Sequence, residues 1–389
     1  MVGKQGAAKA KKSGPVELTE RKKLNAAEKI KELESEISST KYNKRTQHAV
    51  GLMKAKLALM KDRAVQRAST GKAKGDERFA VRKTGDGTAV LLGFPSVGKS
   101  TLLNKITNAK SDVAAYAFTT LRAVPGLMKY KHAKIQIIDV PGIVSGAAAG
   151  TGRGKEVLGI VRNAELVIIL VDALYPEHYQ AILKEVYYTG VRLNKKRPYV
   201  KITKKERGGV IVGASVKLTK LDKQTIIDIA REMRLNNCEI LIRDDIDADE
   251  LIDLIEGDKK YTNALTVITK IDLVDKETLD KICDEIKPDV LISAETGIGI
   301  EELKDKIHSR MGLINIFLKE VNKQADMEVP LIMFKGCTIR DVCSKLHKDF
   351  IDKFKFARVW GKSVKFDGQI FHKMDKELVD GDVLELHIR

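Results

Sequence analysis

A glycine-rich stretch at residues 93–101 has the spacing of a phosphate-binding loop, G-x-x-x-x-G-K-S. The residues before it, 88–92, are apolar and β-prone, and residues 101–106 after it have the pattern of a helix start. Strand, loop and helix in this order form the context in which the motif binds a nucleoside triphosphate. The residues predicted to contact that nucleotide are Gly93, Pro95, Ser96, Val97, Gly98, Lys99, Ser100 and Thr101.

Each residue type in this loop has a defined task at a phosphate. The glycines allow backbone angles that turn successive N–H groups toward one anion, and the N-terminus of the following helix adds partial positive charge. Lys99 would reach the β- and γ-phosphates, and the Ser100 hydroxyl would bind Mg²⁺. The loop alone does not choose between ATPases, GTPases and kinases.

Two further motifs would complete the chemistry at the phosphates. A D-V-P-G motif follows an apolar run, so Asp139 would lie at a strand end beside Mg²⁺ and the Gly142 N–H could bond to the γ-phosphate. An A-F-T-T motif lies in the loop before that strand, where Thr120 would reach both Mg²⁺ and the γ-phosphate. The predicted metal ligands are Ser100, Thr120 and Asp139, and the predicted catalytic residues are Lys99, Thr120 and Gly142.

Two loops late in the chain favour guanine over adenine. In the T-K-I-D motif after one strand, the Asp272 carboxylate can accept both N1–H and N2–H of guanine, a donor pair that adenine lacks. In the S-A-E motif after the last strand, the Ala294 N–H would contact guanine O6. The residues predicted at the base are Thr269, Lys270, Asp272, Ser293, Ala294 and Glu295. Because all five motifs occur in this order, we predict a GTP-binding protein.

The elements that must position these motifs follow from the hydrophobic pattern. Residues 80–173 alternate strands with loops and helices, and the short apolar runs 135–140 and 166–172 predict strands buried on both faces of a sheet. A long segment separates these strands from the next one, 265–268, and we interpret it as an inserted α+β subdomain. The sequence therefore predicts an α/β nucleotide-binding domain that is split by an insertion.

Both ends of the chain have patterns of their own. Apolar positions recur at helical spacing within 17–41 and 46–68, which predicts a helical hairpin. Residues 327–389 have the pattern of a small mixed sheet around one helix, with Thr338 capping the helix and Trp360 in the core. The predicted segments are a disordered basic arm (1–16), a helical region (17–85), the first part of the nucleotide-binding domain (86–174), the insertion (175–262), the second part (263–312) and a C-terminal domain (313–389).

Charge is the feature of the composition that says most about partners. The chain of 389 residues has a formal net charge of +17, and residues 1–83 contain 22 Lys and Arg against 9 Asp and Glu. A basic block of this kind favours a polyanionic partner, with nucleic acid as the first candidate. Residues 192–220, inside the predicted insertion, contain ten Lys and Arg against one Glu and are a second candidate RNA-facing surface.

The same composition argues against membrane and secreted proteins. The longest apolar run, 166–171, is too short to span a bilayer, and the lysine-rich N-terminus lacks the apolar core of a secretory signal. The four cysteines are scattered, without a C-x-x-C pair, which fits reduced thiols rather than a zinc site. We expect a cytoplasmic protein without a membrane partner.

With these motifs in place, the chain resembles the developmentally regulated GTP-binding (DRG) proteins, in the Obg-related branch of the translation-factor-type GTPases. The resemblance is carried by 93–101, 114–120, a glycine-rich second switch at 146–154, 190–194 and 356–361. It covers all but the basic arm. It implies a P-loop GTPase domain with an inserted α+β subdomain, an N-terminal helical hairpin and a C-terminal ubiquitin-like β-grasp (TGS) domain. It also implies GTP and GDP binding with Mg²⁺, association with ribosomes and RNA through the basic N-terminus, the insertion and the TGS domain, and a small stabilising partner protein.

Two positions depart from familiar GTPase patterns. The family's guanine motif usually begins with Asn, whose amide ties this loop to the phosphate loop, and here Thr269 can replace only part of that link. After the D-V-P-G motif, Ile143 stands where Ras-like proteins carry a water-positioning Gln, which implies slow turnover. Related GTPases bind K⁺ against the phosphates, some through an Asn where this chain has Ser96. K⁺-stimulated hydrolysis is therefore a hypothesis.

Two other functions stay open from the residues alone. Ile143 favours a nucleotide-binding RNA or ribosome adaptor with negligible hydrolysis, whereas the complete Mg²⁺ set opposes it. Thr269 by itself suggests an ATPase, and Asp272 opposes that reading. We interpret the chain as a GTP-hydrolysing switch.

Overall fold

The computed structural model describes residues 28–41, 43–69, 85–107, 124–140, 160–161, 163–347 and 349–388. The predicted basic arm lies outside these residues. The chain divides into two compact units that each join distant segments. The first unit combines Met1–Ala73 with Lys196–Lys259, and the second combines Lys74–Lys195 with Lys260–Arg389.

The elements alternate between strands and helices along most of the described chain. The strands are β1 (Gly87–Leu92), β2 (Val124–Tyr130), β3 (Ala133–Asp139), β4 (Leu166–Asp172), β5 (Val191–Leu193), β6 (Val200–Lys204), β7 (Val210–Ala214), β8 (Cys238–Ile242), β9 (Lys260–Thr269), β10 (Val290–Leu291), β11 (Leu313–Lys319), β12 (Leu331–Phe334), β13 (Phe354–Trp360), β14 (Gln369–Phe371) and β15 (Val383–Ile388). The helices are α1 (28–39), α2 (Gln47–Ser69), α3 (Lys99–Ile106), α4 (His178–Tyr188), α5 (Lys223–Glu232), α6 (Ala248–Glu256), α7 (Lys276–Ile286), α8 (Ile300–Met311), α9 (Ile339–Leu346) and α10 (Asp349–Asp352).

The second unit is built on a seven-stranded sheet with the order β10-β9-β4-β1-β3-β2, in which β5 also pairs with β9. Every pairing is parallel except that of β2 with β3. The runs 135–140 and 166–172 are buried throughout, as predicted, and so are all residues of β1, because separate apolar clusters cover the two faces of the sheet. The predicted α/β fold is confirmed, and the carboxyl ends of its parallel strands meet at one edge.

The insertion is shorter in the structure than the predicted 175–262. Helix α4 packs onto the sheet through buried Ile182 and Val186, and β5 pairs with the start of β9. The pairing ends at Asn194, whose backbone is left-handed (φ 52°) and whose Oδ1 accepts the Ala264 N–H at 2.7 Å. The chain therefore leaves the sheet only after Asn194, and Lys196–Lys259 belongs to the first unit. A three-residue strand such as β5 is too short to produce a clear periodic signal.

The first unit joins the N-terminal helices to the insertion. Its sheet has the order β6-β8-β7, and the apolar cluster on one face includes residues of α2, α5 and α6. Gly51 lets α2 approach α5 closely, since a Cβ there would lie 3.2 Å from Ile229 Cδ1. Helices α1 and α2 form the predicted hairpin, with the Lys61 ammonium 2.7 Å from Glu34 Oε1. Helix α2 thus completes the core of an insertion far away in sequence.

The C-terminal residues of the second unit form the predicted small mixed sheet, with the order β12-β11-β15-β13-β14 and with α9 in its core. The Asp341 carboxylate accepts both the N–H and the O–H of Thr338 at the start of α9, each at 2.8 Å. The prediction of a core Trp360 was wrong. Alternation along β13 buries Ala357 and Val359, whereas Trp360 is half-buried beside the Lys319 ammonium, 4.7 Å from its ring centre.

Within the described residues, the search for a helix of sufficient length and apolar character to cross a bilayer found none.

A methyl group added at Gly126 should destabilise the sheet edge that supports α3. A Cβ there would lie 2.4 Å from Thr107 Cγ2 and 2.9 Å from Leu103 Cδ1. We expect Gly126→Ala to lower the free energy of unfolding by about 1–3 kcal/mol through overpacking. Gly213→Ala is the matched control, because its Cβ would meet Leu241 Cδ1 at an ordinary 3.4 Å. Urea unfolding of both variants checks this, and equal stability would contradict the packing described.

Candidate guanine-nucleotide site

The predicted phosphate-binding loop joins β1 to α3 at the carboxyl edge of the large sheet. A Cβ at Gly93 would lie 2.9 Å from the Leu170 carbonyl oxygen, so only glycine fits there. Gly98, the N-cap of α3, has a φ of 93° that favours glycine, and Ser96 also has a positive φ of 65°. Since Gly98 has no side chain, it leaves the first N–H groups of α3 free of a side-chain cap. The loop therefore has the backbone shape of an anion site.

The Lys99 ammonium lies back across this loop. Its Nζ donates to the carbonyl oxygens of Gly93 at 2.9 Å and Phe94 at 2.8 Å. An ammonium has three donors, so these two bonds leave one for a phosphate. Burial lowers the pKa of Lys99, and the nearby Asp139 carboxylate partly offsets that effect. A bound polyanion would therefore favour the charged form of this lysine.

Asp139 at the end of β3 faces the first turn of α3. The Ser100 hydroxyl is 3.5 Å from its Oδ2, and its buried Oδ1 has no hydrogen-bond partner among the described residues. Burial raises the pKa of Asp139, while Lys99 and Ser100 act in the opposite direction. A buried carboxylate with an unused oxygen, next to a hydroxyl and a phosphate loop, is an oxygen-donor set that fits Mg²⁺. The residues present therefore suit the implied metal.

Thr269 at the end of β9 links the predicted base loop to the phosphate loop. Its hydroxyl lies 2.9 Å from the Val97 carbonyl oxygen and 3.3 Å from that of Val171. A hydroxyl has a single hydrogen, so the shorter contact to Val97 is the better hydrogen bond. The side chain is 3% exposed, which removes competition from water. Threonine thus makes the inter-loop link that the sequence left in doubt.

Lys270 and Asp172 form a second link at this edge. Lys270 has a left-handed backbone (φ 58°), and its ammonium lies 2.7 Å from Oδ2 of the buried Asp172. The other oxygen of Asp172 accepts the Leu174 N–H at 3.0 Å. Asp172 was not among the predicted site residues. Its signal in the sequence is a charge at the end of a continuous apolar strand, the same pattern that marks Asp139.

The two predicted base loops lie side by side after β9 and β10. The Ile271 N–H donates to the Ile292 carbonyl at 3.4 Å, and Ser293 Oγ accepts the Thr296 N–H at 3.2 Å. Ser293 is fully buried, whereas the Asp272 and Glu295 side chains are exposed and Ala294 is half-buried. The buried serine shapes its loop, and the exposed Asp272 carboxylate remains accessible to a base.

Phe94, the second residue of the phosphate loop, makes an aromatic contact that could not be predicted from the sequence. The Phe94 ring stacks on His178 of α4, with ring centres 3.8 Å apart and planes 10° apart. The structure thus brings together the phosphate loop, Asp139 and both base loops. Thr120 and Gly142 lie outside the described residues, as do Ile143 and 146–154, so their roles stay predictions.

Comparisons with known proteins bear directly on this site. The model of a "50S ribosome-binding GTPase" family matches residues 88–205, the model for the C-terminal region of that domain matches 207–313, and the TGS domain model matches 314–388. The chain is 48% identical to an uncharacterized GTP-binding protein of Methanocaldococcus jannaschii over 94% of both chains. It is 41% identical to developmentally regulated G-protein 3 of Arabidopsis thaliana, covering 92% of this chain and 98% of that protein.

A further relative, developmentally regulated GTP-binding protein 2 of Bos taurus, is 38% identical over 93% of this chain and 99% of its own length. The chain belongs to the developmentally regulated GTP-binding protein family. The resemblance stated from the sequence is confirmed, and with it the architecture of a P-loop GTPase domain followed by a TGS domain. The chain is therefore a GTP-binding protein of a GTPase family, and the site described above is our candidate for its nucleotide site.

Removing the Thr269 hydroxyl should weaken guanine-nucleotide binding. In Thr269→Ala the base loop loses its link to the Val97 carbonyl. A net contribution of about 0.5–1.5 kcal/mol for this bond predicts a Kd for GDP that rises about two- to tenfold. Thr269→Ser keeps the hydroxyl, is the matched control and should bind GDP almost as wild type does. Titration with a fluorescent GDP analogue checks both variants, and unchanged affinity in Thr269→Ala would contradict the role given to this link.

Asp139→Asn should affect the melting temperature of the protein and its Mg²⁺-dependent GTP binding in different ways. Because burial disfavours the ionised carboxylate when no cation is present, the variant's melting temperature in EDTA should equal or exceed that of wild type. With Mg²⁺ present, we expect its GTP affinity to fall by about 10- to 100-fold, as for other losses around a metal. Asp280→Asn, at an exposed position of α7, is the control. A large loss of stability in EDTA with intact Mg²⁺-dependent binding would show that Asp139 is structural.

Proposed function

We propose that this chain is a GTP-hydrolysing switch that acts with ribosomes or RNA in the cytoplasm. The observation that supports hydrolysis most is the cluster of Lys99, Ser100 and Asp139 at the phosphate loop, where a buried carboxylate oxygen has no partner in the described part of the chain. The link from Thr269 to Val97 supports a guanine loop held in register with the phosphates. The matched family description, a 50S ribosome-binding GTPase, supports the choice of partner.

The reaction we propose is attack of water on the γ-phosphate. The water oxygen forms a bond to phosphorus as the bond to the β–γ bridging oxygen breaks, and GTP and water become GDP and inorganic phosphate. The free Lys99 N–H and the N-terminus of α3 would stabilise the charge on the phosphate oxygens. Mg²⁺, when held by Ser100, Thr120 and Asp139, would neutralise further negative charge. The Gly142 N–H would bond to the γ-phosphate, and loss of that phosphate would release Thr120 and Gly142.

The rate of this reaction is proposed to be slow. The alkyl side chain of Ile143 can neither orient nor deprotonate water. Stimulation by K⁺ near Ser96 stays a prediction, which hydrolysis measured in KCl and in NaCl would test. The basic N-terminus, the basic residues 192–220 and the TGS domain are the proposed contacts with RNA or the ribosome, alongside a small stabilising partner protein.

The experiment that tests the switch is co-sedimentation of the full chain with ribosomes. We expect more protein in the ribosomal pellet with a non-hydrolysable GTP analogue than with GDP or without nucleotide. Asp272→Asn is the matched control, because it loses the acceptor for guanine and should give no response to the GTP analogue. A chain lacking residues 1–16 should retain the response if the folded parts recognise the ribosome.

Other outcomes would contradict the proposal. Ribosome binding that does not depend on the nucleotide and is lost when residues 1–16 are removed would show that the association is only electrostatic attraction by the basic arm. A single-turnover GTP hydrolysis rate that is the same in wild type and in Thr120→Ala would favour the adaptor without hydrolysis.

A further inference from the structure

The three-stranded sheet of the first unit has one face that its helices do not cover. Ile202, Val212 and Ile240 point into the apolar cluster shared with α2, α5 and α6. Because side chains alternate along a strand, their neighbours Lys201, Thr203, Ile211, Glu239 and Leu241 point to the other side. Most of these are exposed, and Ile211 is 49% exposed although it is aliphatic. Helices on one face and an open sheet on the other is the layout of single-strand RNA-recognition modules.

The strand register arranges the residues on the uncovered face of this sheet in three rows across the strands. Lys201 lies opposite Leu241, which pairs with Gly213, and Thr203 lies opposite Glu239, which pairs with Ile211. The third row begins with Tyr199 and Arg243, just beyond the ends of β6 and β8. We name this surface, Tyr199, Lys201, Thr203, Ile211, Gly213, Glu239, Leu241 and Arg243, the open face. Gly213 adds no side chain, so the centre of the open face is low.

The exposed aromatic ring of Tyr199 lies at one end of the open face. Tyr199 is 63% exposed, and the Arg243 guanidinium carbon lies 4.8 Å from its ring centre. Arg243 Nη1 also donates to the Tyr199 hydroxyl at 3.0 Å, and the Asp244 carboxylate accepts the Tyr199 backbone N–H. These contacts order the ring before any ligand arrives. Each nucleobase has a π-face that can stack on such a ring or guanidinium plane.

Charge within the insertion is segregated along the sequence. Residues 196–220, which include β6, β7 and their connections, contain eight Lys and Arg against one Glu. The acidic residues of the insertion follow later, in α5, in α6 and in the loops beside them. The one carboxylate on the open face, Glu239, is paired with the Lys205 ammonium at 2.8 Å. The surroundings of the open face therefore complement a phosphate backbone.

The sheet of the TGS domain carries a similar mixture of aromatic and basic side chains, but several of its basic side chains are already paired with a carboxylate. There Phe356 stacks on His387, with ring centres 4.1 Å apart. The nearly fully buried Glu385 pairs with Lys319, with His387 at 2.6 Å and with Arg358 at 3.8 Å. One buried carboxylate thus pairs with three of the basic side chains on that surface. The open face of the insertion is the better match for a polyanion.

We propose that the open face binds single-stranded RNA, with one base stacked on Tyr199 and phosphates near Lys201 and Arg243. The proposal rests on the RNA-binding part of the proposed function and assigns it to one surface. Duplex RNA is excluded by the mechanism, because paired bases hide their faces within the helix and cannot stack on a side chain.

Fluorescence anisotropy of the full chain with a labelled single-stranded oligoribonucleotide tests this assignment. We expect Tyr199→Ala to weaken binding by about fivefold or more, the lower range for loss of one base stack. Tyr199→Phe keeps the ring and should retain most of the affinity. Tyr188→Ala removes a tyrosine that is 54% exposed on α4 of the second unit, is the matched control and should change nothing. Unchanged circular-dichroism spectra and melting temperatures would show that all three variants fold.

A second readout reports stacking itself. An oligoribonucleotide that contains 2-aminopurine should lose fluorescence on binding to wild type and Tyr199→Phe, and lose less on binding to Tyr199→Ala. Wild-type affinity in Tyr199→Ala, or equal affinity for duplex and single strand, would overturn this inference and leave the proposed function standing. Loss of binding in Phe356→Ala instead would move the site to the TGS sheet. A wild-type chain that binds no RNA would overturn both the inference and the RNA part of the proposed function.

Discussion

The parallel pairing of β1 with β3 on one side and β4 on the other is the constraint on which the nucleotide site depends. In that register Leu91 lies opposite Asp139, so the phosphate loop begins beside the residue that we propose as a metal ligand. Both β1 and β4 are buried along their whole length. A slip of one residue would turn buried side chains to the wrong face, and the register is therefore fixed by the core on both sides.

Two long-range polar contacts extend this arrangement to the base loops. The Thr269 hydroxyl donates to the Val97 carbonyl oxygen at the carboxyl edge of the sheet, and the Lys270 ammonium pairs with the buried Asp172 carboxylate. Both contacts start at the carboxyl end of β9, from its last residue and from the residue after it, and β9 pairs in parallel with β4 along most of its length. The loops that would bind phosphate and guanine are thus held by neighbouring strands of one sheet and by side chains that cross between them. Such double support is what a preorganised binding site needs.

The parts of this molecule that could be predicted from sequence are those encoded locally. Helix α9 begins after its predicted cap, Thr338, and the phosphate loop has the backbone that its glycines require. The pairing of Asp172 with Lys270 could not be predicted, because it joins residues 98 positions apart and no local pattern says which two side chains meet. Trp360 was misplaced for a related reason, since its aromatic character predicts burial, whereas alternation along β13 turns it away from the core.

The first unit has a consequence for how such chains can change over evolution. The insertion leaves the large sheet after Asn194 and returns at Lys260, where β5 and β9 are already paired, so a short connection could replace it without disturbing the sheet. Deleting it would, however, remove the packing partner of α2 and expose Ala55, which is fully buried in the apolar cluster of the insertion. The N-terminal helices and the insertion are therefore expected to be gained or lost as a pair, although the first part of the GTPase domain separates them in the sequence.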